Sequence, residues 1–368
     1  MATKSRRAIS ANSSPATSSR STTLPKPTDT KYPHKKTAVK ILLLLLFCVP
    51  ALCGFAKENL FVIAGSDFQA KTHEASAKNV AGILKKIREY KTFDTERILF
   101  CGDYTVQLRN LPKDSEDGIS ALKQTLFSAQ LGIAPEELVL VQGNHDPAGT
   151  REIASGGAHD PAHNRYGVFV INEDDFMWMQ GRRATDGNAD ISDDEAAVAK
   201  TAAKLDAYLK TKYESNFRAP VFVLSHLPLH YSMRTYNDGD GCFAKFIFDV
   251  LNRYGKLGMK LIFLYGHNHS NGWDNYLGGA SVFLSPGEKI PVAVPADRKT
   301  CTRETLAFTY LNAGYTGYYS TTDPGDGADR TLSMTVFEIA PDGGDEIRRF
   351  SSEGICPLKA PGVPNTRG

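Results

Sequence analysis

Three features of the 368-residue sequence predict an α/β fold built around a parallel sheet. Short continuous apolar runs alternate with amphipathic helical stretches, the strand–helix–strand order of a sheet flanked by helices. Several of those runs stop at a polar turn carrying an acid, an amide or an imidazole, and ligands of α/β proteins gather outside the carboxyl ends of parallel strands. With 41% apolar and 23% charged residues, the composition is globular and the chain is long enough for a substantial core.

The first forty residues do not belong to that core. They are rich in Ser, Thr and Pro, carry nine Lys/Arg against one Asp, and lack an apolar period, so disorder is expected. Residues 41–56 (ILLLLLFCVPALCGFA) have no charge. Their apolar run matches the core of a secretory signal and is short of the ~20 residues that spanning requires. A cleaved signal and a retained signal anchor are both open, and either places the chain after Lys57 outside the cytoplasm, secreted or membrane-attached through 41–56. Residues 41–368 hold 34 Lys/Arg against 40 Asp/Glu, which offers no electrostatic footprint for nucleic acid. Four cysteines follow the leader (Cys101, Cys242, Cys301, Cys356), and their pairing is open. Cys101 lies in an apolar strand and reads as a buried thiol, and no CxxC spacing suggests a structural zinc site.

The first strand is 60–64 (LFVIA), ending at Gly65-Ser66-Asp67-Phe68-Gln69. Over 72–90, Val80, Ile83, Leu84 and Ile87 share one helical face. A strand at 97–100 ends at Cys101-Gly102-Asp103, a helix follows over 115–131, and a strand at 138–141 ends at Gly143-Asn144-His145-Asp146. Residues 147–220 form a long excursion with an extended piece at 167–171 and a helix from Ser192 to about 213, opened by a capping box. Strands at 221–224 and 261–264, separated by a helix over 241–254, end at Ser225-His226 and Gly266-His267-Asn268-His269. From 280 the chain turns β-rich, with short strands at 281–284, 306–311, 333–339 and 346–350 and a hairpin turn at Pro341-Asp342-Gly343-Gly344.

Five strand ends thus carry metal-ligand types in the order D-F-Q, G-D-Y, G-N-H-D, S-H and G-H-N-H. This series resembles the calcineurin-like metallophosphoesterase family, whose pattern is D-x-H, G-D, G-N-H-D/E, a lone His and G-H-x-H. The resemblance spans roughly residues 59–350. It implies a four-layer αββα sandwich with a mixed two-sheet core, occupying 57–352 as one phosphoesterase domain. The excursion 147–220 would set substrate specificity, the tail 280–350 would supply part of the second sheet, and 353–368 would be a C-terminal tail.

The resemblance also implies two divalent ions. Asp103 would bridge them, Asp67, Gln69 and His269 would complete the first site, and Asn144, His226 and His267 the second. Mixed nitrogen and oxygen ligands suit Mn, Fe or Zn better than Ca or Mg. The implied activity is hydrolysis of a phosphate mono- or diester by a hydroxide bridging the two ions. His145 would steady developing charge or protonate the leaving oxygen, and Asp146 would orient His145. Gln69 departs from the pattern, because an amide oxygen is a weaker ligand than imidazole. The alternative is therefore a binding or surface protein on the same scaffold, with little or no turnover.

Other residues are weaker candidates. His230, His159, His163 and Arg151 are candidate substrate contacts, each with a loop role as the competing reading. Arg165, Arg182 and Arg183 read as solvated loop, and His73 as part of a first helical turn. Tyr310, Tyr315, Tyr318 and Tyr319 read as sheet residues, and Gly278-Gly279 lacks the context of a phosphate-binding loop.

Overall fold

In β1 (Leu60–Gly65), Val62 and Ala64 enter one buried cluster while Phe61 and Ile63 enter another. This is the period-two division of a strand buried on both faces. The same division recurs in β2 (Thr95–Phe100), β6 (Val221–Ser225) and β7 (Leu261–Tyr265), so each sheet has an inner and an outer apolar face. The structure is a computed structural model and describes residues 59–69, 72–90, 95–105, 112–147, 149–172, 192–230, 243–269, 277, 282–294, 297–317, 332–341, 345–351 and 354–359. All belong to the unit Lys57–Gly368. The basic region 1–40, the apolar segment 41–56, Arg182, Arg183, Cys242, Gly278-Gly279, Tyr318, Tyr319 and the turn residues 342–344 lie outside the described residues. So do the side chains of 192–194, where the capping box is expected.

The fold is mixed α/β with two large mixed sheets. The remaining strands are β3 (Leu138–Leu140), β4 (Gly157–Ala158), β5 (Gly167–Ile171), β8 (Phe283–Leu284), β9 (Lys289–Val294), β10 (Asp297–Thr305), β11 (Thr309–Asn312), β12 (Ser333–Ile339), β13 (Glu346–Ser351) and β14 (Ile355–Lys359). Sheet one has the order β14-β13-β12-β1-β2-β3, with β1, β2 and β3 parallel. Sheet two has the order β4-β5-β6-β7-β11-β8, with β5, β6, β7 and β11 parallel. The inner faces share one cluster, in which Val62, Leu99 and Phe337 of sheet one meet Val168, Phe222 and Leu264 of sheet two. Phe222 and Phe337 pack edge to face at 5.0 Å.

Helices cover the outer faces. α1 (His73–Tyr90) and α2 (Pro112–Ser128) bury Val80, Ile83, Leu84, Ile87, Ile119, Leu122 and Leu126 against sheet one. α3 (Ser192–Glu214) and α4 (Ala244–Lys256) bury Val198, Leu205, Leu209, Ile247 and Leu251 against sheet two. These are the i, i+3/i+4 stripes read from the sequence, each now with a sheet to cover. Among the described residues no helix is long and apolar enough to cross a membrane.

Two expectations change. The β-rich tail is divided between both sheets: β8 and β11 join sheet two, while β12 and β13 return to sheet one beside β1. Residues 353–368 are not wholly a tail, because β14 pairs with β13. Within the excursion 147–220, the expected extended piece and helix are framework: β5 is a buried strand of sheet two and α3 covers that sheet. The hairpin β9–β10 had no readable signal because Pro291 interrupts the first strand and β10 is largely polar.

Candidate metal centre

The parallel strands of both sheets end at one rim, and backbone hydrogen bonds stitch neighbouring ends together. Cys101 N donates to Gly65 O at 2.8 Å, Val141 N to Phe100 O at 2.9 Å, and Gly266 N to His226 O at 3.0 Å. The two sheets meet there through side chains: the Asp67 carboxylate accepts from His267 N at 3.0 Å, and His226 Nδ1 faces Cys101 O at 2.7 Å. Asp67, Asp103 and His267 hold φ of 54°, 58° and 66°. Non-glycine residues persist in that region only when their surroundings over-determine them.

One set of candidate ligands comprises Asp103, Asn144, His226 and His267, all buried. Asn144 Oδ1 lies 2.9 Å from both His226 Nε2 and His267 Nδ1, and those two nitrogens are 3.2 Å apart. His226 Nε2 is 3.3 Å from Asp103 Oδ2. A carbonyl can only accept, so Cys101 O fixes the proton on His226 Nδ1 and leaves the Nε2 lone pair facing Asp103, Asn144 and His267. Burial works against charging this ring, yet the Asp103 carboxylate, with Asp67 and the Cys101 carbonyl, pushes its pKa up to about 9. Burial likewise opposes the charge on Asp103, but the His226 and His145 imidazoles hold its carboxyl well below the usual range. Positive charge is favoured at this point.

The second set comprises Asp67, Gln69 and His269. His269 Nε2 is 2.9 Å from Asp67 Oδ1 and 2.7 Å from the Gln69 amide nitrogen. A neutral ring nitrogen cannot donate to one and accept from the other at once, so one contact is unsatisfied whichever tautomer holds. Turning the Gln69 amide over would bring Oε1 to His269, and Oε1 is buried without a hydrogen-bond donor. Asp103 Oδ2 also lacks one. Buried lone pairs facing one another cost free energy unless a cation sits among them, and the two sets abut, with ligand atoms of Asp67, Asp103 and His226 within 4.8 Å of one another. The donor sets fit divalent metal ions.

Asp146 does something other than expected. Its carboxylate accepts from Asp103 N (2.9 Å), Tyr104 N (3.1 Å), Gly143 N (2.9 Å) and the Ser115 hydroxyl (2.8 Å). It therefore clamps two strand-end loops to α2 and does not orient His145. Burial, then the Asp103 charge, raises its pKa, while these donors act in the opposite sense. Gly143 is required by close approach, since a Cβ there would lie 2.2 Å from Asp103 Oδ1. His145 donates its backbone N–H to Asp103 Oδ1 at 2.9 Å and places Nε2 3.9 Å from Asp103 Oδ2. Its side chain is 11% exposed, where those of Asp103 and His226 are sealed. Ser115, the start of the expected helix, gave no sequence signal, because its role depends on Asp146.

Of the candidate substrate contacts, His230 is fully buried, not an exposed loop residue, with Nδ1 2.7 Å from the Tyr310 hydroxyl, its ring against Tyr265 and Tyr310, and Nε2 3.5 Å from the Asn268 amide in the turn between His267 and His269. His163 pairs with Glu96 and the His159 carbonyl accepts from Arg97, both near the start of β2. Glu96 and Arg97 lie at the start of β2, whereas Asp103 follows its other end, and four steps of strand from Glu96 to Phe100 already span roughly 13 Å. Arg151 is exposed and engaged by both carboxylate oxygens of Glu116. His73 opens α1 and lines the groove between α1 and α2, so it does not substitute for Gln69. Cys101, Cys301 and Cys356 are free thiols, Cys101 being buried as expected. Arg151→Ala and His163→Ala are expected to leave hydrolysis of chromogenic phosphate esters unchanged. A clear rise in KM for either variant would restore it as a substrate contact.

Together, sheets and site define a mixed α/β protein with a buried Asp/Asn/His centre of metal-ligating type. No protein-family model and no curated protein matches the chain. Among solved structures it is similar to one described as "GAP50 the anchor in the inner membrane complex of Plasmodium", with a TM-score of 0.41, 12% identity, and coverage of 84% of this chain and 91% of that one.

Proposed function

We propose that this protein is a metal-dependent phosphoesterase of the calcineurin-like type, exported and acting on a phosphate mono- or diester. The observation that carries the reading is the meeting of five strand ends in two abutting ligand sets, with Asp103 between them. Asp103, Asn144, His226 and His267 would hold one cation, and Asp67, Gln69, His269 and Asp103 the other, with Mn, Fe or Zn best suited to such donors. When bound, two such ions supply Lewis acidity toward phosphoryl oxygens and make water acidic enough to attack at neutral pH. Asp67 and Asp103 supply the negative charge the ions need, and the Cys101 carbonyl keeps the His226 Nε2 lone pair aimed inward. His145, the more exposed imidazole beside Asp103, is placed to hand a proton to the leaving oxygen.

A second reading, a binding or surface protein on the same scaffold with little or no turnover, draws on Gln69, since an amide oxygen holds a transition metal less tightly than imidazole. Metal analysis of the purified chain with a panel of chromogenic phosphate mono- and diesters separates the two. The enzyme reading expects about two ions per chain and hydrolysis that chelation removes and Mn or Zn restores. Less than about one ion per chain and no hydrolysis under added Mn or Zn would overturn it. Gln69→His is expected to tighten the weaker cation step by about tenfold or more, as read by calorimetry, and to raise turnover. An unchanged weaker step would remove Gln69 from the ligand set.

A further inference from the structure

A sixth strand end reaches the centre, from a segment in which the sequence shows no ligand. β11 runs parallel to β7 and ends at Asn312, and the chain continues as Ala313-Gly314-Tyr315-Thr316-Gly317. On one side this loop grips the turn that carries His267 and His269. Asn312 Nδ2 donates to Gly266 O at 3.4 Å and to Asn268 O at 3.2 Å, and Ala313 N donates to Tyr265 O at 2.7 Å. On the other side it grips the turn that carries Asp67 and Gln69. Ser66 Oγ donates to Gly314 O at 2.6 Å, and the Thr316 hydroxyl donates to Ser66 O at 2.9 Å and Asp67 O at 3.3 Å. Gly317 packs so closely on this turn that a Cβ would lie 1.9 Å from Gln69 O.

The loop is itself anchored. Gly314 N donates to Asn312 Oδ1 at 2.9 Å, and the buried Arg349 guanidinium donates to Asn312 O at 2.8 Å. Tyr315, fully buried, lies flat on the His269 ring, with centroids 4.6 Å apart and planes 12° from parallel. Asp67 and His267 both have left-handed backbones, and a strained conformation persists only where neighbours leave it no alternative. Asn312 and Thr316 supply that restraint to both turns at once, while the Tyr315 ring sets the plane of His269 and so the direction of Nε2.

We propose that Tyr315 is a positioning residue that acts selectively on the Asp67–Gln69–His269 half of the centre, while Asn312 positions the turn that carries both His267 and His269 and so serves both halves. The inference rests on the reading of the centre as a cation site, but its first test does not. In the metal-free protein, Tyr315→Leu is expected to move the imidazole carbon–proton NMR signals of His269 and leave those of His226 in place. Tyr315→Phe, which keeps the ring, is expected to retain the His269 positions. In calorimetric titration with Mn or Zn, Tyr315→Leu is expected to weaken the weaker step by about tenfold or more, as loss of a ligand-orienting partner does. The tighter step should hold, and Tyr315→Phe should restore the weaker one.

His269 signals unmoved in Tyr315→Leu would overturn the proposal, as would His226 signals moving equally or both cation steps weakening alike. Should Tyr315→Leu fail to melt cooperatively, Tyr315→Met is read in its place for the His269 signals and the weaker step, and Asn312→Ala is read through faster amide exchange at His267 and weakening of both cation steps. Unchanged exchange and affinity in that variant would overturn it too. If the unsubstituted chain takes up no cation, the metal reading fails while the His269 signals still decide the positioning role.

Discussion

Replacing Asn144 or His226 with alanine is expected to remove at least about a thousandfold of phosphoesterase activity while the fold survives. The size follows from the chemistry: Lewis-acid stabilisation is worth several kcal/mol, and each ~1.4 kcal/mol is a factor of ten. Both side chains converge on one point, with Asn144 Oδ1 2.9 Å from His226 Nε2, so either substitution leaves three ligands where four meet. Neither supplies much of the core, since the strands leading to them are held by Val139, Leu140, Phe222 and Leu224. In the metal-free protein His226→Ala also removes the imidazole that faces Asp103 and Cys101 O, so some loss of stability is expected while the cooperative melt remains. Activity on a chromogenic ester, bound metal per chain and a thermal melt together check this. Near-normal rates in either variant would refute its assignment as a ligand.

Asp146→Ala is expected to do the opposite, lowering stability first and activity as a consequence. The carboxylate accepts three backbone N–H groups and one hydroxyl in a site with almost no solvent. Removing it leaves four buried donors unpaired, each costing about 1–3 kcal/mol where nothing replaces it. Partial relaxation and entering water reduce the total, so a loss on the order of 3–5 kcal/mol is expected. Asp146→Asn keeps one acceptor oxygen but turns an NH2 toward donors, and should fall between the two. Urea unfolding measures both. An Asp146→Ala protein that is fully stable but slow would return Asp146 to the role of orienting His145.

The seven proposed metal ligands were legible because each lies next to the end of a continuous apolar run. Both signals are local: a buried strand shows as an apolar stretch, and the polar turn follows within a few residues. Asp146 illustrates the limit. Its presence in Gly-Asn-His-Asp was visible, but its partners Asp103, Tyr104 and Ser115 lie 31 to 43 residues away, and no spacing encodes them. His230 and Tyr310 show the same limit, since a Ser-His-Leu-Pro-Leu-His run reads as loop until Tyr310, 80 residues on, closes over it.

By itself, then, the sequence determined the α/β class, the stripe each helix buries and the residues at five strand ends. Periodicity and turn chemistry are properties of neighbours along the chain. Only the tertiary structure decided that β11 and β12, consecutive strands of the tail, join different sheets, because strand pairing is chosen among distant segments with similar apolar patterns. It also decided that His163 and Arg151 are engaged by the carboxylates of Glu96 and Glu116, and that the loop after β11 holds two of the turns that carry candidate ligands.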